Sequence, residues 1–147
     1  MKDIRWENTE EKREDLNDLL PCIEKMFRVT LPEDYTTCAT ENGGGSPVPC
    51  RFDVRDETGK AITKLLSLDP RSKDFFRRYF TAVGWHSPGG HSRGPCPIAQ
   101  DTEGNYICLD YRRGTHPRIL YATPGIKRPR RRVVIADSFT AFLDMLY

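Results

Sequence analysis

Pro97-Ile98-Ala99-Gln100-Asp101, Thr102-Glu103-Gly104-Asn105 and Tyr106-Ile107-Cys108-Leu109-Asp110-Tyr111 form the stretch that decides the fold. Pro97 to Ala99 and Tyr106 to Tyr111 read as two strands. Asp101 to Gly104 joins them, with the acids and glycine that suit a tight reversal. Downstream, Arg118 to Ala122 and Arg132 to Ala136 predict two further strands, with Ile119, Tyr121, Val133 and Ile135 at alternating positions. Asp137 or Ser138 then caps a closing helix, in which Phe139, Phe142, Leu143 and Leu146 stand at i, i+3, i+4 and i+7.

Upstream of the quoted stretch, Phe52 and Val54 share one face of Cys50 to Arg55. Asp56 to Gly59 supplies a turn and Ala61 to Leu68 returns, predicting a hairpin. Asp69-Pro70 reads as a helix start, followed by a broad stripe of Phe75, Phe76, Tyr79, Phe80 and Val83 that is expected to face the core. Val83 to Cys96 reads as a loop. In the first third, Asn8 with Glu11 predicts a capped helix over about 9 to 28, kinked or restarted at Pro21. Pro32 is pre-set for the first turn of a second helix ending at Asn42-Gly43. The glycines at 43–45 follow a helix C-terminus, whose partial charge is negative, so they do not read as a phosphate cradle. Helices, strands, helix, strands and helix in that order give an α+β class with a mainly antiparallel sheet, and no linker divides the 147 residues, so a single domain over 1–147 is expected.

Composition narrows the function classes. Hydrophobic residues make up 37% and charged residues 30%, polar for a globular chain but with regular apolar periodicity. No signal-peptide pattern and no apolar run near the ~20 residues of a membrane span occurs, so a cytoplasmic location is expected and no membrane partner. Five cysteines form no CxxC pair and read as reduced thiols. The formal charge of +2 conceals an asymmetry: residues 1–50 carry −5 and the remainder +7. A face built from the first fifty residues could steer a basic partner.

Catalytic and metal patterns are weak. His86, His91 and His116 with Cys96 or Cys108 make no recognisable nucleophile–base motif. The spacing of His86, His91 and Cys96 matches no familiar zinc pattern, and Asp101, Glu103 and Asn105 lack a calcium-loop pattern. No cofactor or metal is expected. Lys127 to Arg132 could meet phosphates or an acidic protein surface, but it sits in no nucleic-acid-binding context, and a solvated hairpin tip accounts for it.

The ordered set of segments resembles the SUKH superfamily, the SMI/KNR-like proteins, from about Ile23 to Leu146. The resemblance rests on Glu24; Leu31, Pro32 and Tyr35; Asn42, Gly43 and Gly44; Ile98, Ala99, Asp101, Gly104, Asn105 and Asp110; and Phe139, Phe142 and Leu143. It implies a strongly curved sheet flanked by helices and a non-enzymatic, protein-binding role. Bacterial members typically look like immunity proteins that neutralise a cognate toxin, often a nuclease or deaminase. A regulatory or scaffold interaction protein without a toxin is the alternative; a hydrolase or metal enzyme using the 86–96 loop ranks below both. The segment from Val83 to Arg93 and the basic run at 127–132 stand outside the family pattern, which makes them candidates for partner-specific contact beside the solvated-tip reading of the basic run. Trp85, His86, Asp101, Asp110 and Arg112 form the expected partner-binding set.

Overall fold

A computed structural model describes residues 2–84, 95–125 and 131–147. Its elements run β1 (Arg5–Glu7), α1 (Leu16–Phe27), α2 (Glu33–Asn42), β2 (Ser46–Val48), β3 (Arg51–Val54), β4 (Glu57–Leu65), a 3₁₀ helix (Phe76–Val83), β5 (Cys96–Asp101), β6 (Tyr106–Asp110), β7 (Arg118–Ala122), β8 (Arg132–Ala136) and α3 (Phe139–Asp144). The last six strands form one antiparallel sheet in sequence order, β3 to β8, while β1 and β2 pair separately. The sheet is open, and four of its five pairings carry a register irregularity, the device by which strands bend. The expected α+β architecture is present.

All five residues of β6 are buried, because both faces of the sheet are covered there. Ile107 and Leu109 point with Ile98, Ile119 and Tyr121 into the main core, where Phe27, Tyr35, Phe139 and Phe142 arrive from the three helices. Tyr106 and Cys108 point the other way, joining Leu120 and Ala122 beneath Val83 of the 3₁₀ helix. Aromatic edges knit the main core: Phe27 meets Phe76 and Phe80 at 5.8 and 5.2 Å, and Tyr35 meets Phe139 at 5.4 Å. The Ser138 hydroxyl caps α3, accepting from the Ala141 amide.

Four local expectations are corrected. The stretch from Asn8 to Asp15 is not helical: Asn8 takes a positive φ of 58°, the Glu10 amide donates to the Gly43 carbonyl at 3.0 Å, and the Glu10 carboxylate accepts from the Ser67 and Ser72 hydroxyls. That anchor draws the N-terminal segment across the glycine loop, where Trp6 pairs with Pro47. Of the two outcomes expected at Pro21, the restart is ruled out, since Pro21 lies inside a single α1 from Leu16 to Phe27. The turn between β3 and β4 is shorter than predicted, resting on Arg55 at φ 53°. Asp69-Pro70 does not begin a helix either. The Asp69 and Ser72 side chains accept backbone amides of Arg71 and Asp74, Ser67 exchanges backbone bonds with Asp74 and Phe76, and helix geometry starts only at Phe76.

Glu24, the motif acid of α1, organises the passage into α2. Its backbone carbonyl accepts the Val29 amide at 3.1 Å and its carboxylate accepts the Leu31 amide at 2.6 Å, so Leu31 is delivered to the core. At the other end of α2, Gly44 bonds the Leu65 carbonyl and Gly45 accepts the Leu65 amide, each at 2.8 Å. The outer edge of β3 is occupied by the chain itself, since Arg51 and Tyr147 exchange backbone hydrogen bonds of 3.0 and 2.9 Å.

A Cβ at Gly45 would lie 2.7 Å from Thr9 Cγ2 and 2.9 Å from the Asn42 carbonyl oxygen. Gly45→Ala is therefore expected to destabilise the fold by about 2 kcal/mol through overpacking. Urea unfolding checks this, with the midpoint falling and the slope unchanged.

Candidate functional site: a polar hairpin and an acidic groove

The β5–β6 hairpin uses its polar motif residues internally. Asp101 is 2% exposed; its Oδ1 accepts the Glu103 and Asn105 amides at 2.9 and 2.8 Å, and its Oδ2 accepts the Tyr121 hydroxyl at 2.5 Å. Asn105 donates from its side chain to that same hydroxyl at 2.7 Å. Burial, reinforced by the neighbouring carboxylate, pushes the Tyr121 phenol well above its ordinary pKa. Lys60 and the Arg131 guanidinium lie 5.6 and 5.7 Å from the Tyr121 ring centre. Lys60 also reaches Glu103, at 2.9 Å, and Arg131 reaches Glu57, at 2.5 Å. Asp101 and Gly104, the latter at φ 78°, thus build a turn, as the sequence pattern predicts.

Asp110 is likewise 2% exposed. Its carboxylate accepts the backbone amide of Arg112 at 3.1 Å and the Arg112 guanidinium at 2.8 and 2.9 Å, with Arg118 at 3.4 Å. Burial alone would raise this carboxyl, but the bonds from Arg112, aided by the charge of Arg118, outweigh it and hold the pKa below its ordinary value. The Arg112 side chain itself remains 63% exposed. Of the expected partner-binding set, then, Arg112 stands at the surface, whereas Asp101 and Asp110 face inward and shape the loops on either side of β6. Trp85 and His86 lie outside the described residues, as does His91. Cys96 is wholly buried in β5, and burial pushes its thiol up, the opposite of what a nucleophile needs. The basic run contributes Arg131 and Arg132 to the described surface; the Arg132 guanidinium donates to the Val83 carbonyl at 2.7 Å.

A feature that the sequence reading missed lies on the opposite side of the core cover. Ile4 and Trp6, α2 and the start of α3 enclose an open groove of about 660 Å³. Ile4, Trp6, Cys38, Phe139 and Leu143 give it apolar lining, and Asp3, Glu33, Asp34 and Glu41 give it carboxylates. Burial pushes the Cys38 thiol up to about 11, so it is a neutral group at physiological pH. The signal was present as two rows at four-residue spacing along α2, Glu33-Thr37-Glu41 and Asp34-Cys38-Asn42. It was obscured because α2 buries only Tyr35, Ala39 and Thr40 and has weak amphipathic contrast. Among the described residues, no cluster of three or more His, Cys, Asp or Glu is gathered for a metal ion, and no helix is long and apolar enough to cross a membrane.

Because the Asp110 carboxyl titrates lower in the folded chain than its ordinary 3.8, its contribution is complete above that value and is lost as pH falls through the folded pKa. Asp110→Asn is expected to cost about 2 kcal/mol at pH 7. Urea titrations from pH 7 downward should show the gap between variant and parent narrowing below about pH 4.

Comparison with curated proteins and with solved structures returned no match. A family model does match, over residues 16–145, from the first residue of α1 to Met145, just past α3. Its span contains Glu24, the Leu31-Pro32 entry, the glycine loop, the hairpin network and the closing helix, and on that evidence the chain belongs to the SMI1/KNR4 family (SUKH-1).

Proposed function

We propose that the chain is an immunity-type protein that binds and neutralises a cognate protein toxin in the cytoplasm. The observation that carries this reading is family membership across nearly the whole chain, since the SUKH family is known for proteins of the toxin-immunity type. The side-chain chemistry supports binding over catalysis. The described motif acids are engaged in turns and loop ties, and Cys96 and Cys108 are buried with their thiols held protonated. Neutralisation by covering an active site, or by locking an inactive conformation, asks no chemistry of the immunity protein. Nucleases and nucleic-acid deaminases are the toxin classes the resemblance implies. A decoy that imitates nucleic acid would ordinarily be strongly acidic; at a net charge of +2, recognition rests instead on local surfaces. Arg112 is the described member of the expected contact set with an exposed head group, and Trp85 and His86 complete that proposal.

The test is capture of the tagged full chain from its native cells, followed by expression of the captured protein alone and together with this chain. The expected result is one stoichiometric protein that arrests growth when expressed alone and is harmless in the pair. Arg112→Glu and Trp85→Ala should each weaken that complex at least tenfold. A harmless captured partner would replace immunity with a regulatory scaffold role, and capture of no protein would overturn the binding reading.

A further inference from the structure

We infer that the groove formed by Ile4, Trp6, α2 and α3 receives a positively charged segment of the partner protein, which seats an apolar side chain there. The inference deepens the toxin-binding reading and rests on it for the partner's identity. A volume of about 660 Å³ suits a few side chains of a bound segment, and the mixture of apolar lining with a small number of polar groups is that of a recognition site.

Charge selects the occupant. The lining carries four carboxylates, on Asp3, Glu33, Asp34 and Glu41, against one ammonium, on Lys2. Lys2 is drawn aside, its Nζ donating to the Leu146 carbonyl. Asp34 is committed to the fold, accepting the Thr140 amide and hydroxyl, both at 2.9 Å. Glu41 pairs with Lys12, but that pair is about half exposed on both sides, and such pairs are worth little, so an incoming guanidinium or ammonium can take the place of Lys12. Asp3 and Glu33 present exposed heads. Most of the lining comes from the first fifty residues, whose net charge of −5 extends the field beyond the groove. Acidic segments and nucleic acid are disfavoured by the same charges.

The test uses the full chain, labelled with ¹⁵N, and a synthetic twelve-residue peptide of Lys and Arg carrying Leu and Phe at helical spacing. A control peptide has Glu at every Lys and Arg. Expected are chemical-shift changes centred on Trp6, Thr37, Cys38 and Leu143 with the basic peptide, none with the acidic one, and weaker binding as salt rises from about 50 to 300 mM. Glu33→Lys with Glu41→Lys should weaken binding at least tenfold, as should Thr37→Trp, which fills the groove without altering charge. Shifts elsewhere, equal binding of both peptides, or indifference to these variants would overturn the assignment. Sedimentation of the unliganded chain provides one more outcome: a dimer dissolved by the charge-reversed variant would make the occupant a second copy and overturn the partner assignment. If the charge-reversed variant still neutralises the captured toxin at parental strength, the groove assignment fails while the immunity reading stands. If the parent binds the basic peptide yet protects against nothing, the failure belongs to the immunity reading.

Discussion

Burial of the central strand Tyr106–Asp110 on both faces is the constraint from which the rest of the architecture follows. A strand with Ile107 and Leu109 on one side and Tyr106 and Cys108 on the other requires two covers. The three α-helices supply the first, through Phe27, Tyr35, Phe139 and Phe142. The 3₁₀ helix supplies the second, with Val83, while lending Phe76 and Phe80 to the first. A segment that serves both cores has little freedom of placement. The turns from Asp69 to Phe75, fastened across Ser67, are what bring it to that position.

Polar residues in this fold divide by whether their charge is used inside the chain. Glu24, Asp101 and Asp110 each accept backbone amides near the ends of secondary structure, and two of the three are almost wholly enclosed. Leaving such an acceptor's partners unpaired in a buried setting is costly, which explains why acids appear at these places without any reaction to perform. Glu33 and Glu41, about two turns apart along α2, have their heads at the surface and make no comparable tie to the core. The groove they border is therefore a feature of the cover's outer side.

The sheet was legible wherever pattern and period coincide. Arg118–Ala122 and Arg132–Ala136 follow from alternation alone, and Ser138 with Phe139, Phe142 and Leu143 announces α3. Local signals misled where a distant partner intervened. Asn8 and Glu11 have the spacing of a helix start, yet Glu10 is claimed by Gly43, Ser67 and Ser72, which lie far along the chain. Asp69-Pro70 misled for a related reason, since side-chain bonds to nearby amides compete with a helical turn. The turn role of Asp101 was readable from Asp101-Thr102-Glu103-Gly104. Its depth of burial was not, because that depends on Tyr121 arriving from two strands away. The groove was illegible for the same kind of reason: Trp6 and Leu143 are at opposite ends of the sequence.

The exposed row Glu33-Thr37-Glu41 has a consequence for how such a protein can change over time. Its residues share α2 with Tyr35 and Ala39, which hold the helix to the core, but they do not share that structural duty. Substitutions along the row can alter what the surface accepts while leaving the buried anchors in place. If the groove takes a partner as proposed, its specificity can be revised in single steps, each retaining a folded protein, with the scaffold inherited unchanged.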